Sequence, residues 1–320
     1  MDLYFEMYSG IAGDMAIGAL LDLGASKEKL VEGIKALGLE GYDLSFARVK
    51  KNGIDAYDFD VNLEAKSYGH KEDSSTDKAS HGEDGHCHGK GHHNHGKGKC
   101  HHNHHEESKC CHSHHHEDHT CDHGHHKEDT CRHSHHHGHG HHHDHHHRNL
   151  EDIKNLINSS SLSDRVKKDS LGIFEIIGQA EARAHGIDIN EVHFHEVGAI
   201  DSIIDIVGLS ILLEDLGVDK IYFSKLYEGM GRQECAHGYM PVPVPAVANI
   251  LKDSSLSLSI IDEEGEHITP TGMAIVKYFS TGESLEDFSI GKIGLGAGNK
   301  DFKKSTNILR VMEVKTKKKL

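Results

Sequence analysis

Between His70 and His147 the chain has almost nothing to bury. This 78-residue window holds 30 of the 35 histidines and six of the seven cysteines, and Ala79 is its one aliphatic residue. A segment with so few apolar side chains cannot offset the entropy of ordering its backbone. The window is therefore expected to be a disordered insertion, and the foldable chain is what flanks it. The other 242 residues are roughly 45% apolar, an ordinary globular value. The expected organisation is residues 1–66 as the first part of a folded body, 67–148 as a His/Cys-rich metal-binding insertion, and 149–320 as the second part of the body.

Imidazole nitrogen and thiolate sulfur bind nickel, zinc, copper and iron. The candidate ligands run His86, Cys87, His88, His92, His93, His95, Cys100, His101, His102, His104, His105, Cys110, Cys111, His112, His114, His115, His116, Cys121, Cys131, His135, His136, His137, His139, His141, His142, His143, His145, His146 and His147. Four donors per ion bounds the capacity of the 36 donors at about nine tetrahedral sites. A donor array without fixed geometry stores and buffers ions rather than catalysing. It should release them in acid, as protons compete for imidazoles near pH ~6.5. Deleting residues 70–147 should abolish multi-ion binding. The bland alternative, a linker with no role, does not account for 30 imidazoles.

Several classes fall away. The longest uncharged apolar-rich stretch, Gly238–Leu251, is short and carries three prolines, so no membrane-spanning run is present. The start, MDLYFEMYSG, lacks a basic region followed by an apolar core. A cytoplasmic location is expected, where cysteines stay reduced and read as ligands rather than disulfides. The formal net charge of −16 argues against nucleic acid.

In the flanking segments, Leu3–Tyr8 reads as a strand, Ala12–Leu23 as a helix, and Ser26 as the cap of a helix ending near Leu37. Tyr42–Lys50 and Ala56–Leu63 alternate as strands around Asn52-Gly53, a hairpin signal. Beyond the insertion, Leu150–Asn158, Asp164–His185 and Gly198–Leu216 have helical spacing, and Val192–Glu196 is extended. Ile221–Leu226 reads as a strand, followed by a Gly-rich loop and the run MPVPVPAVANIL. Leu256–Ile261, Phe288–Ile293 and Asn307–Val314 read as strands, and Ile268–Gly272 opens a helix to Phe279. Strands and helices mix without a clean βαβ repeat. The expected fold is α/β or α+β, a mixed sheet with packed helices interrupted by the insertion.

The sharpest cluster outside the tract is VHFHEVGAIDSIIDIVG, Val192–Gly208. His193 and His195 fall on one side of an extended segment. Asp201 and Asp205 share a face of the helix that follows, whose other positions are apolar almost all round. Buried carboxylates are costly unless paired, protonated or bound to a cation. The cluster reads equally as a metal or acid–base site and as a structural hydrogen-bond network. The turn Ser9-Gly10-Ile11-Ala12-Gly13-Asp14 precedes a helix whose N–H groups suit phosphate, while Asp14 suits a cation; a simple tight turn is the commoner meaning. Gly294-Leu295-Gly296-Ala297-Gly298 is not a dinucleotide fingerprint, because no helix follows it. Cys235 and His237 alone are a weak metal signal.

Together, EMYSGIAGDMAIGALLDLG, VHFHEVGAIDSIIDIVG, CAHGYMPVPVPAV, ITPTGMAIV and GLGAGNKDF…NILRV resemble the nickel-insertion proteins of nickel-pincer cofactor biosynthesis, the LarC family. The resemblance spans nearly the whole body in order. It implies a metal-inserting enzyme that places nickel(II) between two sulfurs and a ring carbon of pyridinium-3,5-bisthiocarboxylic acid mononucleotide. The product serves lactate racemase-like enzymes, and the family reaction consumes CTP with Mg2+ or Mn2+. Family members commonly continue past the NILRV strand into a nucleotide-associated domain. That domain is expected on a companion polypeptide or lost, and the CTP site with it. On chemical grounds, His193, His195 and Glu196 are candidate bases for the ring proton, and Asp201 and Asp205 are candidates to hold the nickel or to orient the imidazoles. Ser9, Gly10, Gly13 and Asp14, with Thr269, Thr271 and Gly272, are the candidate phosphate cradle. The alternatives are a nickel or zinc store feeding another metalloenzyme and, less favoured, a metal-dependent hydrolase. Ligand types do not settle the metal, and the sequence leaves a homo-oligomer open.

Overall fold

The computed structural model describes residues 1–63, 148–192, 194, 200–235, 238–252 and 254–316. The tract ligands lie outside them. In chain order the elements are β1 (Asp2–Glu6), α1 (Gly13–Leu23), α2 (Lys27–Lys35), β2 (Tyr42–Lys51), β3 (Ile54–Leu63), α3 (Leu150–Ser159), α4 (Asp164–His185), α5 (Ile200–Asp215), β4 (Lys220–Phe223), β5 (Leu226–Met230), β6 (Arg232–Cys235), β7 (Gly238–Pro241), α6 (Pro245–Lys252), β8 (Leu258–Glu264), α7 (Pro270–Phe279), β9 (Phe288–Ala297) and β10 (Ile308–Thr316). This is an α+β fold with a mixed sheet. No helix among the described residues is long and apolar enough to cross a membrane.

The main sheet has the order β2-β3-β9-β10-β1-β4. β1 runs antiparallel to β10 and parallel to β4, so the first strand joins elements from the end and the middle of the chain. The β2–β3 hairpin turns at Asn52 and Gly53, both with positive φ, as a two-residue turn of this kind requires. Ser26 caps α2 by accepting from the Lys29 N–H at 3.2 Å.

Helix α1 is apolar on nearly all sides because it lies between the sheet and α5. It approaches β9 backbone to backbone. A β-carbon on Gly294 would stand 2.0 Å from the Ala19 carbonyl oxygen, and one on Gly296 would stand 1.9 Å from that of Met15. The glycines of the segment Gly294–Gly298, which is not a dinucleotide fingerprint, are thus, at these two positions, a packing surface. Helix α5 is enclosed by α1, α2 and α4, which explains its unbroken run of buried residues from Ile206 to Leu213.

The expected strand Ile221–Leu226 is two strands. At Ser224 the hydroxyl accepts the Met7 N–H and donates to the Lys225 carbonyl, and the chain leaves the main sheet. Leu226 then starts β5, which pairs in parallel with β8. The expected Gly-rich loop contains the β6–β7 hairpin, and the proline run leads into α6.

A three-helix cavity with a carboxylate wall

An isolated parallel bridge between Ile11 and Ile268 sets up the site. The Ile11 N–H donates to the His267 carbonyl at 3.0 Å, and the Thr269 N–H returns to the Ile11 carbonyl at 3.2 Å. Two segments that each end in a helix start are thereby held side by side. Gly10 permits the approach, since a β-carbon there would stand 1.9 Å from the His267 oxygen. Gly272 does the same from the other side, 2.1 Å from the Ile11 oxygen. The first turns of α1, α7 and α5 then converge on one cavity of about 280 Å³.

Gly13 and Asp14 of α1, Asp201, Ser202 and Asp205 of α5, and Thr269 and Thr271 at the start of α7 line the cavity. Glu266, His267, Gly298, Asn299, Lys300, Phe302 and Asn307 complete it. The loop carrying Lys300 and Phe302 is closed by Asn307, whose side-chain amide donates to the Lys300 carbonyl at 2.7 Å, and by the Gly298 N–H donating to the Asn307 carbonyl at 3.0 Å.

The carboxylates dominate its electrostatics. Burial raises Asp14 to about 6, against a hydrogen bond from the Met15 N–H that lowers it, with Asp60 and Asp58 on β3 raising it further. Burial also raises Asp205 well above the ordinary range, with Asp14, Asp201 and Asp60 adding repulsion that the Asp14 N–H does not offset. Asp201 is raised by burial in the same direction. Carboxylates held this close favour shared protons or a bound cation. Among the described residues no group of three or more His, Cys, Asp and Glu is arranged to hold a metal ion. Asp14 and Asp205 form a pair, and an ion there would take its other ligands from elsewhere.

Of the residues expected from sequence, Gly13, Asp14, Thr269, Thr271, Asp201 and Asp205 meet in the cavity wall. Thr269 caps α7, its hydroxyl accepting from the Gly272 N–H at 3.1 Å. Ser9 is buried beside the turn, and the Gly10 N–H is spent on the Met7 carbonyl at 3.0 Å. His193, His195 and Glu196 lie outside the described residues, as does His237. Sequence reasoning missed Glu266, His267, Asn299, Lys300 and Phe302. His267 immediately precedes the ITPTG segment, and Asn299, Lys300 and Phe302 sit in GNKDF; both segments stood out, but neither has a spacing that names these side chains.

A family profile described as nickel insertion protein matches residues 3–320. The chain belongs to this family. Among relatives of the nickel insertion family, a protein of Alkaliphilus metalliredigens is 43% identical over 96% of this chain and 59% of its own length. Proteins of Clostridium acetobutylicum and Clostridium kluyveri are 41% and 39% identical over 97% of this chain, and over 63% and 61% of their own lengths. All three are named pyridinium-3,5-bisthiocarboxylic acid mononucleotide nickel insertion protein. The chain thus spans about 60% of the length of these relatives. No solved structure matches.

Proposed function

We propose that the chain binds nickel(II) and places it in pyridinium-3,5-bisthiocarboxylic acid mononucleotide, giving the sulfur–carbon–sulfur nickel pincer of lactate racemase-type enzymes. The observation that carries this reading is the cavity itself, where a carboxylate pair and three helix starts meet in one small space. Asp14 and Asp205 are hard oxygen donors. They hold a divalent ion without saturating it, and the softer thiocarboxylate sulfurs then displace them. Asp201 lies one helical turn from Asp205 on α5 and adds negative charge at the same place. The phosphate of the mononucleotide belongs at the α7 start, where Thr269, Thr271 and the helix dipole favour an anion. In this reading Asp14 and Gly13 serve the cation more than the phosphate, because the α1 start is already occupied by carboxylates.

Nickel sits between substituents at ring positions 3 and 5, so a ring C–H bond must be replaced by a bond to the metal. A proton acceptor is required, and His193, His195 and Glu196 are its sequence candidates. The histidine tract supplies nickel from a local store. By resemblance the reaction consumes CTP with Mg2+ or Mn2+, and no described residue is assigned to it. We place the reaction in the cytoplasm, with the remaining length of the relatives acting as a further part of the enzyme and a racemase-like protein receiving the product. The alternative, a nickel or zinc store without insertion activity, draws on the tract's donor count alone.

The test is to incubate the chain with nickel, CTP and the bisthiocarboxylate mononucleotide, alone and with the part of a relative that extends beyond the match. The pincer complex is sought by mass. Its formation, and its loss in Asp205→Asn, is the expected result. Nickel uptake by the tract with no pincer complex under either condition overturns insertion in favour of storage.

A further inference from the structure

The cavity is unbalanced in charge. Four of its lining side chains, Asp14, Asp201, Asp205 and Glu266, carry carboxyl groups, and among the described lining residues Lys300 is the one permanent cation. Burial holds the His267 ring toward its neutral form, and the Lys300 charge pushes the same way. The Lys300 backbone is fixed, since its carbonyl accepts from the Asn307 amide at 2.7 Å and from Nζ of Lys51 at 3.5 Å. The side chain is held loosely. It is 43% exposed, and Nζ lies 3.1 Å from Oε1 of Gln233 and 3.4 Å from both the carbonyl and the carboxylate of Glu266. These acceptors occupy the three N–H bonds of the ammonium, two of them beyond the usual hydrogen-bond range. An ion pair this long and this exposed stabilises little. The ammonium therefore stands beside a wall residue, open to solvent and cheap to redirect.

We infer that Lys300 recognises the phosphate of the mononucleotide and thereby sets which end of the substrate points at the metal. The inference rests on the insertion reading above. A bisthiocarboxylate mononucleotide is anionic at both ends. Its sulfurs meet the Asp14 and Asp205 wall through the nickel between them. Its phosphate has no such shield, and beside these carboxylates it needs a positive partner. The α7 start supplies about half a charge, and Lys300 supplies a whole one. Glu266 is three residues before Thr269, so the two contact points are at most about 11 Å apart along the chain, a gap that a phosphate and a redirected lysine side chain close together. The phosphate takes the place of the neutral Gln233 at Nζ, while Glu266 keeps its contact. Exchanging a neutral acceptor for a charged one is favourable, because charge-assisted hydrogen bonds are roughly twice as strong as neutral ones.

A cycle of two proteins and two substrates isolates the contact. The substrates are the bisthiocarboxylate mononucleotide and the nucleoside left after its phosphate is removed. The proteins are the full chain and Lys300→Met, with Lys300→Arg as the conservative variant. Lys300→Gln, which keeps polar contacts without the charge, gives the same reading should Lys300→Met unfold in a thermal melt. The kcat/KM for pincer formation is measured for each pair with nickel, CTP and the relative's further part. Wild type should prefer the mononucleotide by about tenfold or more. Lys300→Met should use the two substrates alike, and Lys300→Arg should keep most of the preference. The preference in wild type should also shrink as salt is added. Equal use of both substrates by wild type, or an undiminished preference in folded Lys300→Met, overturns the inference and leaves the insertion reading standing. A wild-type protein that forms no pincer complex from either substrate overturns both.

Discussion

Gly13 and Asp205 share a space that admits no additional carbon: a β-carbon on Gly13 would stand 2.4 Å from Oδ2 and 2.6 Å from Cβ of Asp205. The first turn of α1 therefore sets where the Asp205 carboxylate lies. The carboxylate end can swing away, but the Asp205 β-carbon is tied to α5 and cannot. Gly13→Ala should displace the carboxylate and strain the contact between α1 and α5. The expected outcome is a stability loss of about 1–3 kcal/mol in urea unfolding, with pincer formation reduced at least tenfold. Full activity would mean that the position of Asp205 is not critical.

The same carboxylates make stability depend on pH and on divalent ions. Asp14 is raised to about 6, and Asp205 is raised with it. The folded state therefore holds these protons more tightly than the unfolded chain. The contribution is complete below about pH 4 and is lost as pH rises through about 6. For Asp14 alone it is about 1–3 kcal/mol. In chelator, wild type should lose stability between pH 4 and 7, and Asp205→Asn should be more stable than wild type at pH 7 and flatten that slope. A divalent ion should raise the unfolding temperature more at pH 7 than at pH 5. An identical pH profile for the variant would remove the pair as the source.

The parts of this arrangement that were legible in the sequence are local. Ser26 and Thr269 announce their helices by side chains that bond three residues on. Asn52-Gly53 announces its hairpin because few residues tolerate positive φ. Asp201 and Asp205 stood out as charges on an otherwise apolar helix. Asp14 and His267 are 253 positions apart, and what unites them is the Ile11–Ile268 bridge, a pairing that leaves no periodic trace. The β6 and β7 strands are four residues each and largely exposed, so they show no alternation of apolar residues to read. Gly294 and Gly296 do not show their role in the sequence, because glycine marks both a turn and a close backbone approach.

That last distinction is measurable. At Gly296 the atoms a β-carbon would meet are backbone: the Met15 oxygen at 1.9 Å and the Ala19 nitrogen at 2.6 Å. Neither can yield without moving α1 off the sheet. Gly53 meets nothing within 4 Å, and only its φ of +83° opposes substitution. Gly296→Ala should destabilise by about 3 kcal/mol or more, and Gly53→Ala by about 1 kcal/mol. Urea unfolding of the two variants gives the ratio directly. Equal small losses would mean that α1 is not packed on β9 at this position.

Glu228 tests the support beneath His267. The carboxyl is fully buried, and Oε1 accepts from the Gly229 N–H at 2.9 Å and the His267 N–H at 2.7 Å, while Oε2 has no partner. Burial lifts this group to about 7, against those hydrogen bonds, with Glu266 adding repulsion. The proton is therefore bound more tightly in the folded state, and its stabilisation fades as pH rises from about 4.5 through 7. Glu228→Gln keeps the Oε1 acceptor and is neutral at every pH. It should match wild type at pH 5 and exceed it by about 1–2 kcal/mol at pH 8. Glu228→Ala leaves both N–H groups unpaired and should cost about 2–4 kcal/mol at either pH. Because the His267 N–H is one of the two, only the alanine variant should also loosen the ring. Equal stability of the two variants at pH 5 and pH 8 would mean that Glu228 does not hold these two N–H groups.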